Sequence, residues 1–349
     1  EFDRRDAGLF CRYYGVTADG NFDGESVLSV QGSSEMIANE EGMSEEQLST
    51  KLQDMASRLF SIRSGRSAPL TDNKIVTSWN ALALRAFAQA SFILENETYQ
   101  RVAEQNATFL LEQLYQKGRL LRIWKEGNGR VKAYLEDYAF LVLGLLALHE
   151  TTFAHRWLSY AKQLTDDFLM LFWDEAHQTL FDVGTDQEEL IVRPREVFDN
   201  ATPSGSSAAV EALLRMAILT GNQGYRHKAK RLLESVSGYL PVYSQGFGQW
   251  LSALDIYQGP SVEIAIVGSR NSAGVSDLLG AVRSVYLPSR VLIGYDPADP
   301  VSFESPILEG RTTNGGEAKA FVCSGYTCDL PTSSPIVLVQ QLIERGGYT

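Results

Sequence analysis

Apolar residues recur at helical spacing along most of the chain before Gly259, most clearly in Thr71–Ala90, TDNKIVTSWNALALRAFAQA. From Trp79 they fall at Leu82, Ala83, Ala86, Phe87 and Ala90, which is one face of a helix. Alanines at 81, 83, 86, 88 and 90 keep the rest of its surface small, so neighbours can approach on several sides and the helix should be buried. Thr77 or Ser78 is placed to cap its start, and it should run to about Leu94. Its N-terminal end carries Asp72, Lys74, Trp79 and Asn80, a mixture of charge, aromatic and amide.

From there the pattern repeats. Tyr99 with Ala103, Trp157 with Ala161 and Tyr225 with Ala229 each open an amphipathic helix after a short polar link. Each follows a more hydrophobic helix, at Trp79–Leu94, Leu135–His149 and Pro203–Thr220, with a fourth candidate at Phe247–Tyr257. The long links, Gly118–Tyr134 and Trp173–Thr202, precede the hydrophobic members. Helices alternating in this way form hairpins that stack into a solenoid or close into a toroid. The long links and the N-terminal ends of the inner helices should then share one face. The expected fold is mainly α, with (α/α) toroid-type hairpins in a partial or complete ring.

After Gly259-Pro260 the period changes. Val262–Val267, Arg290–Ile293 and Ala318–Cys323 read as strands, with helices at Gly274–Val285 and Pro335–Glu344, a small C-terminal α/β unit. Upstream, Ser44-Glu45-Glu46 starts a helix to about Ile62, and Ser26–Val30 is a short strand-like run. The expected division is a lead-in over 1–43 that continues from residues before Glu1, a helical-hairpin toroid over 44–260, and the α/β unit over 261–349.

Composition narrows the partners. The 349 residues carry 31 basic and 43 acidic side chains, net −12, with no basic cluster, so nucleic acid and anionic membranes are poor partners. No apolar run is long enough to suggest a membrane span, and EFDRRDAGLF has no signal-peptide core. A cytoplasmic protein is expected. Three cysteines are too few for a disulfide scaffold. Cys323-x4-Cys328 lacks the further ligands of a structural zinc; two reduced thiols are the expectation, a reversible disulfide the alternative. The four histidines lie away from the inner-helix starts, so neither a metal nor a cofactor is expected.

The candidate chemistry is at those starts. Tyr134-Leu135-Glu136-Asp137-Tyr138 sets two carboxylates between two tyrosines, where they either cap the helix or face a cavity as acid, base or sugar-hydroxyl acceptor. Asp199-Asn200-Ala201-Thr202-Pro203-Ser204 holds more polar groups than one cap can use, which favours a site. Arg193 and Arg195 lie just upstream, placed for an anionic group or, better, a structural ion pair. Trp250 suits stacking on a sugar ring or packing in the core. Asp137, Asp199 and Asp72 are the candidate catalytic residues. Trp79, Asn80, Lys74, Glu136, Tyr138, Arg193, Arg195, Asn200, Ser204 and Trp250 are the candidate binding residues.

DNKIVTSWNALALRAFAQA, YLEDYAFLVLGLLAL, DNATPSGSSAAVEALLRMAILTGNQGY and AFVCSGYTCDLP, in this order, resemble the thioredoxin-domain-containing, spermatogenesis-associated family. The resemblance implies an (α/α)6 toroid similar to N-acylglucosamine 2-epimerases and six-hairpin glycosidases, preceded in the family by a thioredoxin-like domain. It implies that this chain is the C-terminal half, without the first hairpins and their His- and Asp-containing loops. Two functions follow as expectations. One is a carbohydrate-active enzyme, an epimerase/isomerase or glycosidase with a sugar or sugar derivative as ligand. The other is a non-catalytic module serving the thioredoxin-like domain, for which Cys323 and Cys328 are possible redox partners.

Overall fold

The computed structural model describes residues 2–188, 191–259, 261–298, 303–313, 316–325 and 327–346. The chain divides into two compact units, Glu1–Asp72 and Asn73–Thr349. The first holds α1 (Arg4–Tyr14), α2 (Ser34–Glu41) and α3 (Glu45–Ser64). They meet over a small core of Leu9, Phe10, Ile37, Ala38, Leu48, Leu52 and Met55. Helix α3 starts at a capping box, the Ser44 hydroxyl accepting from Gln47 N–H and the Gln47 side chain from Ser44 N–H. This helix, grouped by its sequence pattern with the hairpins, thus has its core partners in the first unit. Ser26–Val30 is not a strand. Asn21 ties it down locally through both hydrogen bonds of its amide to Val27, and Val27, Leu28 and Val30 stay exposed.

The second unit begins with β1 (Ile75–Val76) and α4 (Thr77–Leu94). Hairpin partners follow: α5 (Glu97–Phe109, prolonged by a π turn over Leu110–Leu114), α6 (Leu135–Thr152) with α7 (His155–Phe172), and α8 (Gly205–Thr220) with α9 (Gln223–Val236). Helix α10 (Gly248–Gln258) then adds to the row. Helices α4, α6, α8 and α10 pack successively as the inner row, and α5, α7 and α9 back them. Helix α6 is apolar and buried nearly all round, because it takes α4, α7 and α8 as neighbours at once. Gly144 lets α4 come close: a Cβ there would meet Leu84 Cδ2 at 2.9 Å and Ala81 O at 3.1 Å. The alanines expected to seat the outer helices, Ala103, Ala161 and Ala229, are all fully buried.

The first long link is a hairpin, β3 (Arg119–Lys125) with β4 (Asn128–Lys132), which also pairs with β1 and with β2 (Tyr115–Gln116). Among its described residues the second contains only the short pair β5 (Trp173–Asp174) and β6 (Thr179–Leu180).

Pro260 lies outside the described residues; beyond it the α/β part forms as its pattern predicts. Strand β7 (Glu263–Val267) runs parallel to β8 (Val291–Tyr295) through α11 (Ala273–Arg283), and antiparallel to β9 (Lys319–Ser324), with β10 (Thr327–Cys328) at the edge. Ile264 and Ile266 face the core shared with α11 and α12 (Pro335–Glu344), while Ala265 faces the helical-hairpin core, as strand alternation requires. Cys323 and Cys328 are joined by a disulfide, which corrects the expectation of two thiols. They are register partners across β9–β10, with Cα atoms 4.0 Å apart. Among the described residues no helix is long and apolar enough to cross a membrane, and no cluster of three His, Cys, Asp or Glu side chains is placed to hold a metal.

Candidate functional site

The inner-helix starts are held by carboxylates that cross from one helix to another. Asp137, in the first turn of α6, is fully buried. It accepts from Ser78 N–H in α4 at 2.9 Å, from Tyr134 N–H at 2.8 Å and from Arg122 Nη1 at 2.9 Å. The cap of α4 therefore comes from the next inner helix. Thr77 instead donates to Leu121 O at 2.6 Å, which corrects the expectation of a local cap. Burial raises the Asp137 carboxyl to about 6, against the pull of Arg122 and the Tyr134 N–H. Asp199 does the same work for α8 and α10. It accepts from Ser204 N–H at 2.9 Å, Ser207 Oγ at 2.7 Å and Gln249 N–H at 2.9 Å. Ser204 caps α8 through Ser207 N–H.

Between these two clamps, at the seam of α6 and α8, lies a pocket of about 290 Å³. Tyr134, Glu136, Asp182, Glu196, Phe198, Asn200, Thr202, Pro203, Ser204 and Gly205 line it: three acids, two aromatic walls and no basic side chain. Glu136 is paired with Arg122 Nη1 at 2.7 Å, and the Arg122 guanidinium lies over the Tyr134 ring at 4.8 Å. Asp182 is fixed by backbone bonds, its N–H donating to Pro194 O and its carbonyl accepting from Leu135 N–H, while its carboxylate accepts from Glu196 N–H at 2.7 Å. Burial raises the Asp182 carboxyl to about 6; the Glu196 N–H opposes this, and the Glu196 and Glu136 carboxylates add to it. Asp182 and Glu196 were not singled out by their sequence. The only signal was their place on a long link that precedes an inner helix.

The seam is tight. A Cβ on Gly205 would lie 2.9 Å from Glu136 N and 3.3 Å from Glu136 Cα. Because a backbone cannot step aside as a side chain does, Gly205→Ala is expected to cost about 1–3 kcal/mol, read as a lowered urea midpoint.

The other candidates are distributed elsewhere. Tyr138 is fully buried, its hydroxyl accepting from Leu120 N–H and Arg119 Nη1, each at 2.9 Å. Trp250 is fully buried and donates to Val197 O at 2.8 Å. Both are core residues, which corrects their expected contact with a ligand. Arg193 donates to Val183 O and covers the Phe181 ring, and Arg195 donates to Ser235 Oγ. Trp79 is 68% exposed, and Asn80 binds back to Val76 O at 2.9 Å. Lys74 is exposed at the start of the second unit, and Asp72 falls in the first. Of the thirteen candidates, Glu136, Asn200 and Ser204 line the pocket.

A larger cavity, about 570 Å³, opens among α4, α6, α8, α10 and the segment before β8. Glu211, almost fully buried, accepts both Arg85 Nη atoms at 2.9 and 2.8 Å, Arg215 Nε at 2.8 Å and Gln249 Nε2 at 2.6 Å. Arg290 pairs with Glu150 at 3.3 Å, and Ser289 donates to Asp255 at 2.5 Å. Its carboxylates are held by arginines, Gln249 and Ser289, whereas in the smaller pocket Glu136 is paired with Arg122 and the Asp182 carboxylate meets a backbone N–H and no cation within hydrogen-bond distance among the described residues.

No family model matches the chain. Among curated proteins, human spermatogenesis-associated protein 20 is 31% identical over 357 aligned residues, covering 95% of this chain and 45% of its own length. The chain is a homologue of spermatogenesis-associated protein 20. An uncharacterized protein of Caenorhabditis elegans is 26% identical, over 98% of this chain and 47% of its own. The chain thus spans about half the length of the curated relatives it matches. Its neighbours among solved structures are sugar epimerases, isomerases and glycosidases. One, a cellobiose 2-epimerase from Bacillus thermoamylovorans, aligns over 47% of this chain and 44% of its own, at 19% identity and a TM-score of 0.40.

Proposed function

We propose that the mouth pocket binds a neutral sugar or an amino sugar and exchanges protons with it. The observation that carries this is Asp182, a carboxyl raised to about 6 beside Glu136 and Glu196 in a pocket whose lining includes no basic side chain, Arg122 reaching it only through Glu136 and Tyr134. A group that titrates near neutrality can donate a proton, and a second carboxylate can accept one, which is the minimum for glycoside hydrolysis or epimerisation. Asp182 is the acid in this reading and Glu136 the carboxylate opposite. Three acids disfavour phosphorylated or uronic sugars through like-charge repulsion, and they suit hydroxyl and ammonium donors. Tyr134 and Phe198 supply apolar walls for a ring face. Asp137 and Asp199, the expected catalytic pair, are positioning residues here: they hold the four helix starts around the pocket.

The test is ligand-induced stabilisation by D-mannose, N-acetyl-D-glucosamine, D-glucosamine and cellobiose, followed by proton NMR of the same mixtures for new anomeric signals. A bound sugar raises the melting temperature by an amount that grows with the logarithm of its concentration above Kd. Asp182→Asn keeps an acceptor for Glu196 N–H, so it should retain the shift and lose turnover. Turnover should fall as pH rises through about 6, where Asp182 gives up its proton. Full turnover in Asp182→Asn would remove Asp182 as the acid. A shift without turnover in the unaltered protein would favour the second reading, a non-catalytic binding module. The commitment of Asp137 and Asp199 to capping favours that second reading.

A further inference from the structure

We propose that the Cys323–Cys328 disulfide is a thiol–disulfide exchange site that accepts two electrons from a dithiol, with Cys328 the sulfur attacked and Arg311 the cation that receives the Cys323 thiolate. The two sulfurs differ in access. Cys323 is 2% exposed within the sheet, whereas Cys328 is exposed on β10, the edge strand. An incoming thiolate must line up with the sulfur–sulfur bond, and only the Cys328 end is open to it.

The chemistry around the bridge is matched to its reduced form. Arg311 Nη2 lies 2.9 Å from Cys323 Sγ and 3.7 Å from Cys328 Sγ. Among the described residues its buried Nη1 has no hydrogen-bond partner, and no carboxylate is within ion-pair distance of the guanidinium. The Phe321 ring lies 5.5 Å from its carbon. Disulfide sulfurs are weak acceptors, so a half-buried cation aimed at them is poorly satisfied while the bridge is closed. A thiolate at Cys323 would satisfy it. Of the other charges nearby, the Glu263 carboxylate acts on Arg311 through space only. Glu263 is the register partner of Cys323 on β7 without pairing with Arg311, and Asp329, next to Cys328, is held by Arg345 at 2.6 and 3.2 Å.

The exchange balances. A thiolate of the dithiol attacks Cys328 Sγ, the Sγ–Sγ bond breaks, and its electron pair leaves on Cys323 Sγ beside Arg311. The second thiol of the reductant then loses its proton and attacks its own partner sulfur. That step releases Cys328 as a thiolate, which takes up a proton, and the reductant departs as a cyclic disulfide.

The experiment uses the folded chain with glutathione, whose single thiol leaves a mixed disulfide until a second molecule attacks it, and dithiothreitol, whose second thiol completes both steps within one molecule. Quenching with iodoacetamide and mapping by mass spectrometry should place glutathione on Cys328 and the alkyl group on Cys323. Dithiothreitol should reduce the bridge under native conditions. Arg311→Met should slow the glutathione step about tenfold or more, because the leaving thiolate loses its counter-charge, and Arg311→Lys should recover part of the rate. Glutathione found on Cys323, a bridge reduced only when the protein is unfolded, or equal rates in the Met variant would each overturn the proposal. If Arg311→Met does not fold, the adduct position in the unaltered protein decides alone.

Discussion

Glu211→Ala is expected to lower the stability of the second unit by about 3–5 kcal/mol, the usual cost of leaving buried charge unpaired. Glu211 is the single anion that Arg85, Arg215 and Gln249 share, and through it α4, α8 and α10 are held around the larger cavity. Removal strands Arg215, whose other hydrogen bonds among the described residues go to the carbonyls of Arg290 and Pro288, with Glu150 acting on it only through space. The control is to replace Glu211, Arg85 and Arg215 together by apolar residues of similar volume. That variant should lose much less than the single one, because desolvation and attraction are removed together. Urea denaturation of both would check it; equal losses would mean that packing rather than charge dominates.

The same group sets an acid limit. Although burial opposes it, Arg215 and Arg85 hold the Glu211 carboxyl down at about 2. A depressed carboxyl stabilises the fold above its unfolded value and stops doing so as pH falls toward the folded one. The stabilisation from Glu211 should therefore be complete above about pH 4.5 and lost between there and pH 2. Glu211→Gln should lack this acid arm.

The architecture was legible because its signals are local and repeated. Tyr99 with Ala103, Trp157 with Ala161 and Tyr225 with Ala229 mark the outer helices, since a small buried residue is what lets each one approach the inner row. The α/β part was legible from a change of period alone. The site was not, for a physical reason: what a carboxylate does depends on partners far along the chain. Asp137 caps a helix through the N–H of Ser78, 59 residues earlier. Asp199 reaches Gln249 fifty residues later. Their sequence context shows acids at helix starts and cannot distinguish an open cavity from a cross-helix cap. Asp182 carried still less, because its raised carboxyl comes from burial by walls that only the folded chain supplies. Trp250 shows the converse, an aromatic at a helix start with either a wet or a dry face, and burial decides it. The cysteine pair turned on register, which needs the antiparallel turn between β9 and β10.

Acidification to pH 5 is expected to weaken the joint between the α6–α7 hairpin and β8 by about 2 kcal/mol through His149, the product of 2.303RT and the drop from 6.5. His149 and His155 lie with ring centres 5.5 Å apart in the core. Backbone donors fix both tautomers. Gly294 N–H donates to His149 Nε2 at 3.3 Å, so His149 Nδ1 carries the proton toward Ala154 O at 3.3 Å. Phe303 N–H donates to His155 Nδ1 at 3.0 Å, so His155 Nε2 donates to Gly294 O at 2.8 Å. A second proton on His149 would cost the bond from Gly294 and place a charge in the core. Burial, with His155 adding to it, accordingly lowers its value to about 3. A base held neutral in the fold but free to protonate when unfolded costs nothing above pH 6.5 and destabilises progressively below it, down to about pH 3. Asp137 and Asp182 tilt the other way, since carboxyls raised to about 6 favour the fold as pH falls from 6 toward 3.8. The effect must therefore be read as a difference. Between pH 7 and pH 5, the stability gap between the unaltered protein and His149→Gln, which takes up no proton, should shift by about 2 kcal/mol against the unaltered protein. Over the same range the His149 Cε1–H resonance should stay unshifted. Parallel pH curves for the two proteins, or a His149 signal titrating near 6, would show that the pair takes up a proton without opening the joint.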